Sequence, residues 1–281
     1  MRIPEEFTWR LAGRGSTFDS SDVACMVGDA SAADRSPRVA VVAHFDPTSR
    51  FGPSLTAFVA ALASAGFQPV VVTTSPERPD PQGLPPSTVV VARPNRGYDF
   101  GSWAAGLHLL PRARCAAEVI LANDSMVGPF APLGDLVDRA AASGADVWAA
   151  TSSLQVAPHL QSYLLRFAPG VLDRPEFVEF FGGIRHLDNK VAIVRRYELG
   201  LTRVIRRAGL RSAAGFPAGT LGAGRANPTT AAWRELMEAG YPFFKRTLLR
   251  DPRVRVERSV LAEAVREIFG ADLGRFLADV P

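Results

Sequence analysis

Glu118-Val119-Ile120-Leu121-Ala122 runs directly into Asn123-Asp124-Ser125-Met126-Val127-Gly128-Pro129, an apolar stretch closed by turn-forming residues. A short apolar run without polar alternation reads as a strand buried on both faces, the kind found in a parallel sheet between helix layers. In open α/β sheets, ligands bind beyond the carboxyl ends of the strands, where the loops leave the sheet. An acid at that point, Asp124, can hold a cation, a ribose hydroxyl or a phosphate-bound metal. It can equally cap the next turn, which Asn, Asp and Ser all favour. On this stretch alone, the capping role is the stronger.

The same pattern recurs along the chain. Upstream, Val39-Ala40-Val41-Val42-Ala43 ends at His44-Phe45-Asp46-Pro47, Pro69 to Thr74 forms a second apolar run, and Thr88 to Ala92 ends at Arg93-Pro94-Asn95-Arg96-Gly97-Tyr98-Asp99. Ser54 to Ala65 carries Leu55, Phe58, Val59 and Leu62 at helical spacing, and Phe100 to Leu110 does so with Trp103, Leu107 and Leu110. This alternation predicts an α/β fold, a mostly parallel sheet flanked by helices. Downstream, the pattern predicts a helix over Leu133–Ser143 and a strand over Asp146–Thr151. Beyond that it weakens: Pro158 to Phe167 reads as a helix with His159 and Gln161 at its start, and Asn189–Ala208 as another helix. Arg211–Arg225 reads as a loop, and Thr229–Ala239 and Val260–Phe269 as helices. The expected organisation is an N-terminal extension over 1–36, an α/β part over 37–155, and a mainly helical part of the same domain over 156–281. In the extension, Phe7 to Leu11 could pack on the main body, and Gly28 to Ser36 reads as a loop or linker.

Composition narrows the function classes. The chain has 281 residues, 47% hydrophobic and 21% charged, with a formal net charge of +4. Its densest basic stretch, Arg246 to Arg258, also holds Asp251 and Glu257. This mild excess does not indicate nucleic-acid binding, though it allows weak attraction to anionic substrates or membrane surfaces. Cys25 and Cys115 give neither a disulfide framework nor metal-ligand spacing. Met1 to Glu6 has no signal-peptide character, and no apolar run approaches the roughly 20 residues that span a bilayer. The expected setting is the reducing cytoplasm, with at most peripheral contact to the inner face of a membrane.

Polar residues gather at the four strand ends: His44 and Asp46, Thr73 and Thr74, Asn95 to Asp99, and Asn123 to Ser125. In a parallel sheet these share one rim, which suits a nucleotide. Neither GxGxxG nor GxxxxGK[ST] follows the first strand, and GxSxG and HExxH are absent, so dehydrogenase, P-loop, serine-hydrolase and zinc-enzyme readings lack their residues. His159 and Gln161 can serve a ligand or cap a helix. Glu198 is a candidate buried carboxylate or an exposed partner of Arg195. Lys245, after Pro242-Phe243-Phe244, can meet a phosphate or snorkel. His108 and His186 read as structural.

These motifs, in this order, resemble the rhamnan synthesis protein F family of bacterial polysaccharide glycosyltransferases. The matching pieces are VAVVAHF at Val39–Phe45, NRGYDFGSW at Asn95–Trp103, NDSMVGP at Asn123–Pro129, HLQSYLLRF at His159–Phe167, YELGLT at Tyr197–Thr202, and NPTTAAWRELMEAGYPFFKRTLLRDP at Asn227–Pro252. The resemblance implies a GT-A-like fold and transfer, with inversion, from a nucleotide sugar, dTDP-L-rhamnose foremost, to a glycan or lipid-linked glycan. It implies donor contacts from His44, Thr73, Asn95, Gly97, Asp99, Asn123, Asp124 and Ser125. On the acceptor or sugar side it implies Gln161, Tyr163 and Lys245, with Glu198 as first and His159 as second choice of base. A divalent cation, Mg²⁺ or Mn²⁺, would sit on Asp124 and the donor diphosphate. The sequence departs from the family twice: Asn123-Asp124-Ser125 offers one acid where a DxD motif has two, and Phe180-Phe181-Gly182-Gly183 stands where the family has an FW-type pair. A glycosyltransferase-like protein that only binds glycan or nucleotide is the alternative, favoured by that single acid. A nucleotide-dependent enzyme of another class ranks last.

Overall fold

A computed structural model describes residues 23–185 and 193–277. The expectations for Phe7–Leu11, for His186 and for the first turn of the helix from Asn189 lie outside the described residues.

The main sheet is built from β1 (Ala24–Val27), β2 (Arg38–His44), β3 (Gln68–Thr73), β4 (Val89–Ala92), β5 (Glu118–Asn123), β7 (Val147–Ser153), β9 (Leu164–Phe167) and β10 (Ser212–Phe216), in the order β1-β4-β3-β2-β5-β9-β7-β10, with β8 (His159–Leu160) on β7. A separate ribbon pairs β6 (Met126–Val127) with β11 (Phe244–Lys245). Strands β4, β3, β2 and β5 are parallel, as the apolar runs predict. The expectation of a mostly parallel sheet is corrected to a mixed one, because β1, β8 and β9 pair antiparallel. After β7 the chain turns back on itself, and β8 and then β9 pair with β7 antiparallel, the only pairing so short a connection allows.

Side chains alternate across the sheet. Val39, Val41, Val70, Val72, Val119 and Leu121 pack into a core on one face. Ala40, Val42, Val71, Ile120 and Ala122 pack into a core on the other. Helices α1 (Pro53–Ser64) and α3 (Gly134–Ala142) cover the second core, and α2 (Tyr98–Leu109), α4 (Pro175–Gly182) and α5 (Leu199–Arg207) the first. Each fully buried Val or Leu contributes on the order of 1.5–3 kcal/mol, and that burial drives the three layers together. At the far end of β5, Glu118 is shared by two guanidiniums, Arg38 at 2.7 Å and Arg166 at 2.8 Å, across β2, β5 and β9.

Four stretches fold differently from expectation. His159 to Phe167 forms β8 and β9 instead of a helix. Ser212 to Phe216 is strand β10 where a loop was expected. Its small residues are a packing requirement: a Cβ at Gly215 would overlap the ring of Trp148 on the neighbouring strand. In the N-terminal part, Ala24–Val27 is an edge strand and Ala30–Asp34 a short helix in the stretch expected to be a loop. The helix predicted over Thr229–Ala239 is split at Ala232, which leaves helical geometry at φ −129°.

After Phe216 the chain is mostly helical, ending in α6 (Arg258–Phe269) and a turn at Leu273–Phe276. Val127, Phe130, Met237, Phe244, Leu248, Leu261, Val265 and Leu273 make a third core. Through β6 and β11 this core holds the loop that follows β5.

Candidate functional site

The strand order sets the location. From β2 the chain winds outward to β3 and β4, then returns so that β5 lies on the other side of β2. Helices leave in opposite directions there, which opens a crevice at the carboxyl ends of β2 and β5. Both ends are polar: His44-Phe45-Asp46 and Asn123-Asp124-Ser125.

Hydrogen bonds knit this rim together. The Asp124 carboxylate accepts from the Phe45 N–H at 3.2 Å, and its Oδ2 lies 3.9 Å from His44 Nε2. His44 Nδ1 lies 3.0 Å from the Thr73 hydroxyl, which donates to Ser75. Asn123 donates its side-chain N–H to Asp99 at 2.7 Å, while its oxygen accepts from the Ser125 N–H and hydroxyl. Asp99 reaches the rim because Gly97, at φ 76°, takes the left-handed turn into α2. Tyr98 follows at φ 53° and is exposed. A bulky residue in that region is strained, and such strain clusters at ligand sites. Thus His44, Thr73, Gly97, Asp99, Asn123, Asp124 and Ser125 come together, and Asn95 stands exposed on the same loop.

The remaining expected residues lie on the adjoining side. The Asn123 N–H donates to the Tyr163 carbonyl at 3.1 Å. One residue earlier, the Ser162 N–H and hydroxyl both donate to Glu198 Oε1, at 2.8 and 3.1 Å. Glu198 closes a π-helical turn, Val194–Glu198, and is half-buried. Its neighbour Tyr197 packs on Phe100, ring centroids 5.5 Å apart, so the segments carrying Glu198 and Asp99 share one aromatic anchor. His159 is buried, with Nδ1 2.8 Å from the Ala157 carbonyl. Gln161 and Tyr163 are buried, their polar atoms engaged by Thr151 and Asn227. Lys245 is half-buried on β11, opposite Met126.

Sequence reasoning missed Arg246, next to Lys245. Its N–H donates to the Ser125 carbonyl at 2.9 Å, and its guanidinium faces the Asp124 carbonyl, with Nε and Nη2 both 3.4 Å away. A pairing of β11 with β6 would have pointed to it, but two-residue strands leave no periodicity to read.

Burial shifts the two groups nearest the crevice in opposite directions. It lowers His44 to about 4, against the opposing pull of Asp46. It raises Asp124 to about 6, against the Phe45 N–H and Arg246. For Asp46, burial alone would raise the carboxyl, but hydrogen bonds from Thr48 and the Arg50 N–H outweigh it and hold the pKa below its ordinary value. Between pH 4 and 6 the unfolded chain carries a proton on His44 and none on Asp124, and the folded chain carries the reverse. The number of bound protons is equal, so the pair adds no pH slope to stability. Each substitution exposes the other half. Relative to the unsubstituted protein, His44→Gln should gain stability on acidification from pH 6.5 to 4.5, because the penalty on ionised Asp124 fades as the carboxyl protonates. Asp124→Asn should lose stability over the same interval, because the unfolded chain then protonates His44 while the folded chain does not. Each effect is on the order of 2 kcal/mol, measurable by urea denaturation at both pH values. Parallel curves for all three proteins would contradict the opposed shifts.

A divalent metal would find few protein ligands here. Among the described residues, no group of three or more His, Cys, Asp or Glu gathers to hold one. Asp124 is a single carboxylate already taking an N–H, with a guanidinium at its carbonyl. A protein-built metal cage does not fit these residues.

The fold is a mixed α/β sheet flanked by helices, with a polar crevice at its switch point and a mostly helical C-terminal region. The family model for "Rhamnan synthesis protein F" matches residues 87–269, well over half of the chain, and the chain belongs to that family. It is 29% identical over 216 residues to the "Virulence protein VirA" of Vibrio anguillarum, covering 66% of this chain and 69% of that protein. It is 31% identical over 120 residues to the "Uncharacterized protein y4gN" of Sinorhizobium fredii, covering 41% of this chain and 31% of that one. Among solved structures it is similar to the apo form of the bifunctional glycosyltransferase WbbM, at 13% identity and a TM-score of 0.32, over 58% of this chain and 38% of that chain. No helix among the described residues is long and apolar enough to cross a membrane.

Proposed function

We propose that this protein transfers a sugar, L-rhamnose or another deoxyhexose, from a nucleotide sugar to a hydroxyl of a growing cell-surface glycan, with inversion. The observation that carries the reading is the crevice between β2 and β5, where the Asp124 carboxylate, the Phe45 N–H, His44 and the Asn123–Asp99 pair converge. Nucleoside and ribose would meet Asn95, Gly97 and Asp99, and the diphosphate would lie toward Asp124 and Ser125. In the transfer, the acceptor hydroxyl gives its proton to a base as its oxygen bonds to the anomeric carbon. The bond from that carbon to the diphosphate oxygen breaks, and the electron pair leaves with the nucleoside diphosphate. Glu198 is the favoured base, because Oε1 is held by Ser162 and Oε2 is left for the acceptor. His159 is the second choice through its free Nε2. The protein would work in the cytoplasm, in peripheral contact with a membrane carrying the acceptor.

Turnover in a panel of nucleotide sugars, with Mn²⁺ and with EDTA, tests the reading, and dTDP-rhamnose is expected to be the best donor. Absence of both binding and turnover with every donor would sink it. One observation favours a second reading, a binding protein without transfer: the loop after β5 carries a single acid, Asp124. Under that reading dTDP, UDP or GDP would raise the melting temperature with no turnover, since a ligand of the folded state stabilises it by mass action.

A further inference from the structure

Arg246 is a half-buried cation with no carboxylate at ion-pair distance among the described residues. The residue sits where β11 ends, 122 positions from Asp124, half-buried against the crevice. Its backbone N–H already holds the Ser125 carbonyl at 2.9 Å, and the β6–β11 pairing holds the same loop, so the guanidinium is not needed to pin it. The side chain makes two contacts to one neutral carbonyl, each 3.4 Å long, at the weak limit of a hydrogen bond. Among the described residues no carboxylate lies within 4.0 Å of it. A guanidinium carries five N–H donors in a fork suited to phosphate oxygens, and most of this fork is unspent. Asp124 and Asp46 attract the guanidinium from beyond ion-pair distance, Arg250 adds a second positive charge nearby, and the buried ring of His44 is kept neutral. Leaving a half-buried cation without an ion pair is costly, and the cost is recovered when an anion arrives.

We propose that Arg246 binds the diphosphate of the nucleotide donor and stabilises the negative charge that grows on it as the sugar departs. The assignment rests on the reading of the crevice as a nucleotide-sugar site. It gives the positive charge to a side chain where the carboxylates do not build a metal cage. The backbone N–H of Phe45 is already taken by Asp124, which leaves the Arg246 fork as a donor facing the same loop.

The test compares ligands that differ only in phosphate. Affinities of the full chain for dTDP, UDP and GDP, for their nucleosides and for inorganic pyrophosphate are measured by calorimetry, in EDTA and again in Mg²⁺. Arg246→Met should weaken the preferred nucleoside diphosphate by about 10- to 100-fold in both buffers and leave its nucleoside within about twofold. The salt dependence of diphosphate binding should flatten in the variant, because one cation is gone. Arg246→Gln keeps an N–H donor for the Asp124 carbonyl and carries the same test where the Met variant does not fold. Unchanged diphosphate affinity in a folded variant overturns the role of Arg246 and leaves the donor reading standing. Failure of the unsubstituted protein to bind any nucleoside, nucleoside diphosphate or pyrophosphate overturns both.

Discussion

Asp124→Asn is expected to lower turnover by about 100-fold or more while the protein stays folded. Asparagine has the same shape, and its side-chain oxygen can still accept the Phe45 N–H that Asp124 takes at 3.2 Å. What disappears is the charge. An ionised carboxylate at the crevice can offset the positive charge that develops on the sugar as its bond to the diphosphate breaks, and such a preorganised charge is worth on the order of 3 kcal/mol at the transition state. At neutral pH the carboxyl, raised by burial to about 6, is still mostly ionised and available for that role. Initial rates with the donor identified in the screen, beside circular dichroism of the variant, decide the matter. Turnover at the unsubstituted level would remove Asp124 from the site. Nucleotide binding that survives in the variant while transfer is lost would place the charge in the chemical step.

Trp103→Ala is expected to cost about 4 kcal/mol of stability, the upper range for removing a buried aromatic. The indole is fully buried under the sheet and meets Phe100 edge-on at 4.9 Å. Its N–H donates to the Ala122 carbonyl at 2.8 Å, so the substitution opens a cavity and deprives a buried acceptor at once. Ala122 directly precedes Asn123 and Asp124, so the strand end that carries the crevice should loosen as well. Trp103→Phe, which fills most of the space, should cost only about 1–2 kcal/mol. Denaturant midpoints of the two variants separate cavity from hydrogen bond. A loss below about 1 kcal/mol for Trp103→Ala would show that α2 is not seated as described.

The strands that sequence reasoning located are those buried on both faces. Val39 to Ala43, Val70 to Val72, Val89 to Val91 and Val119 to Ala122 are uninterrupted apolar runs because helices cover each side of them. The strands it missed break the pattern for identifiable reasons. Arg166 interrupts β9 to reach Glu118, and β10 is built of Ser, Ala and Gly because Trp148 occupies the space above Gly215. The polar rim was legible because its residues end strands or follow them directly: His44, Thr73, Asn123 and Asp124. Arg246 was not, because a residue of distant sequence enters the crevice by tertiary packing alone.

The clamp of β11 on β6 has a consequence for the order of events during synthesis. Strands β2 to β5 and their helices can gather once the first half of the chain has emerged, since their contacts are comparatively local. The loop bearing Asp124 must wait for Phe244, Lys245 and Arg246, and for the third core behind them. A chain paused on the ribosome before that point would hold its sheet with an unfinished mouth, so the crevice is completed only after the third core has emerged.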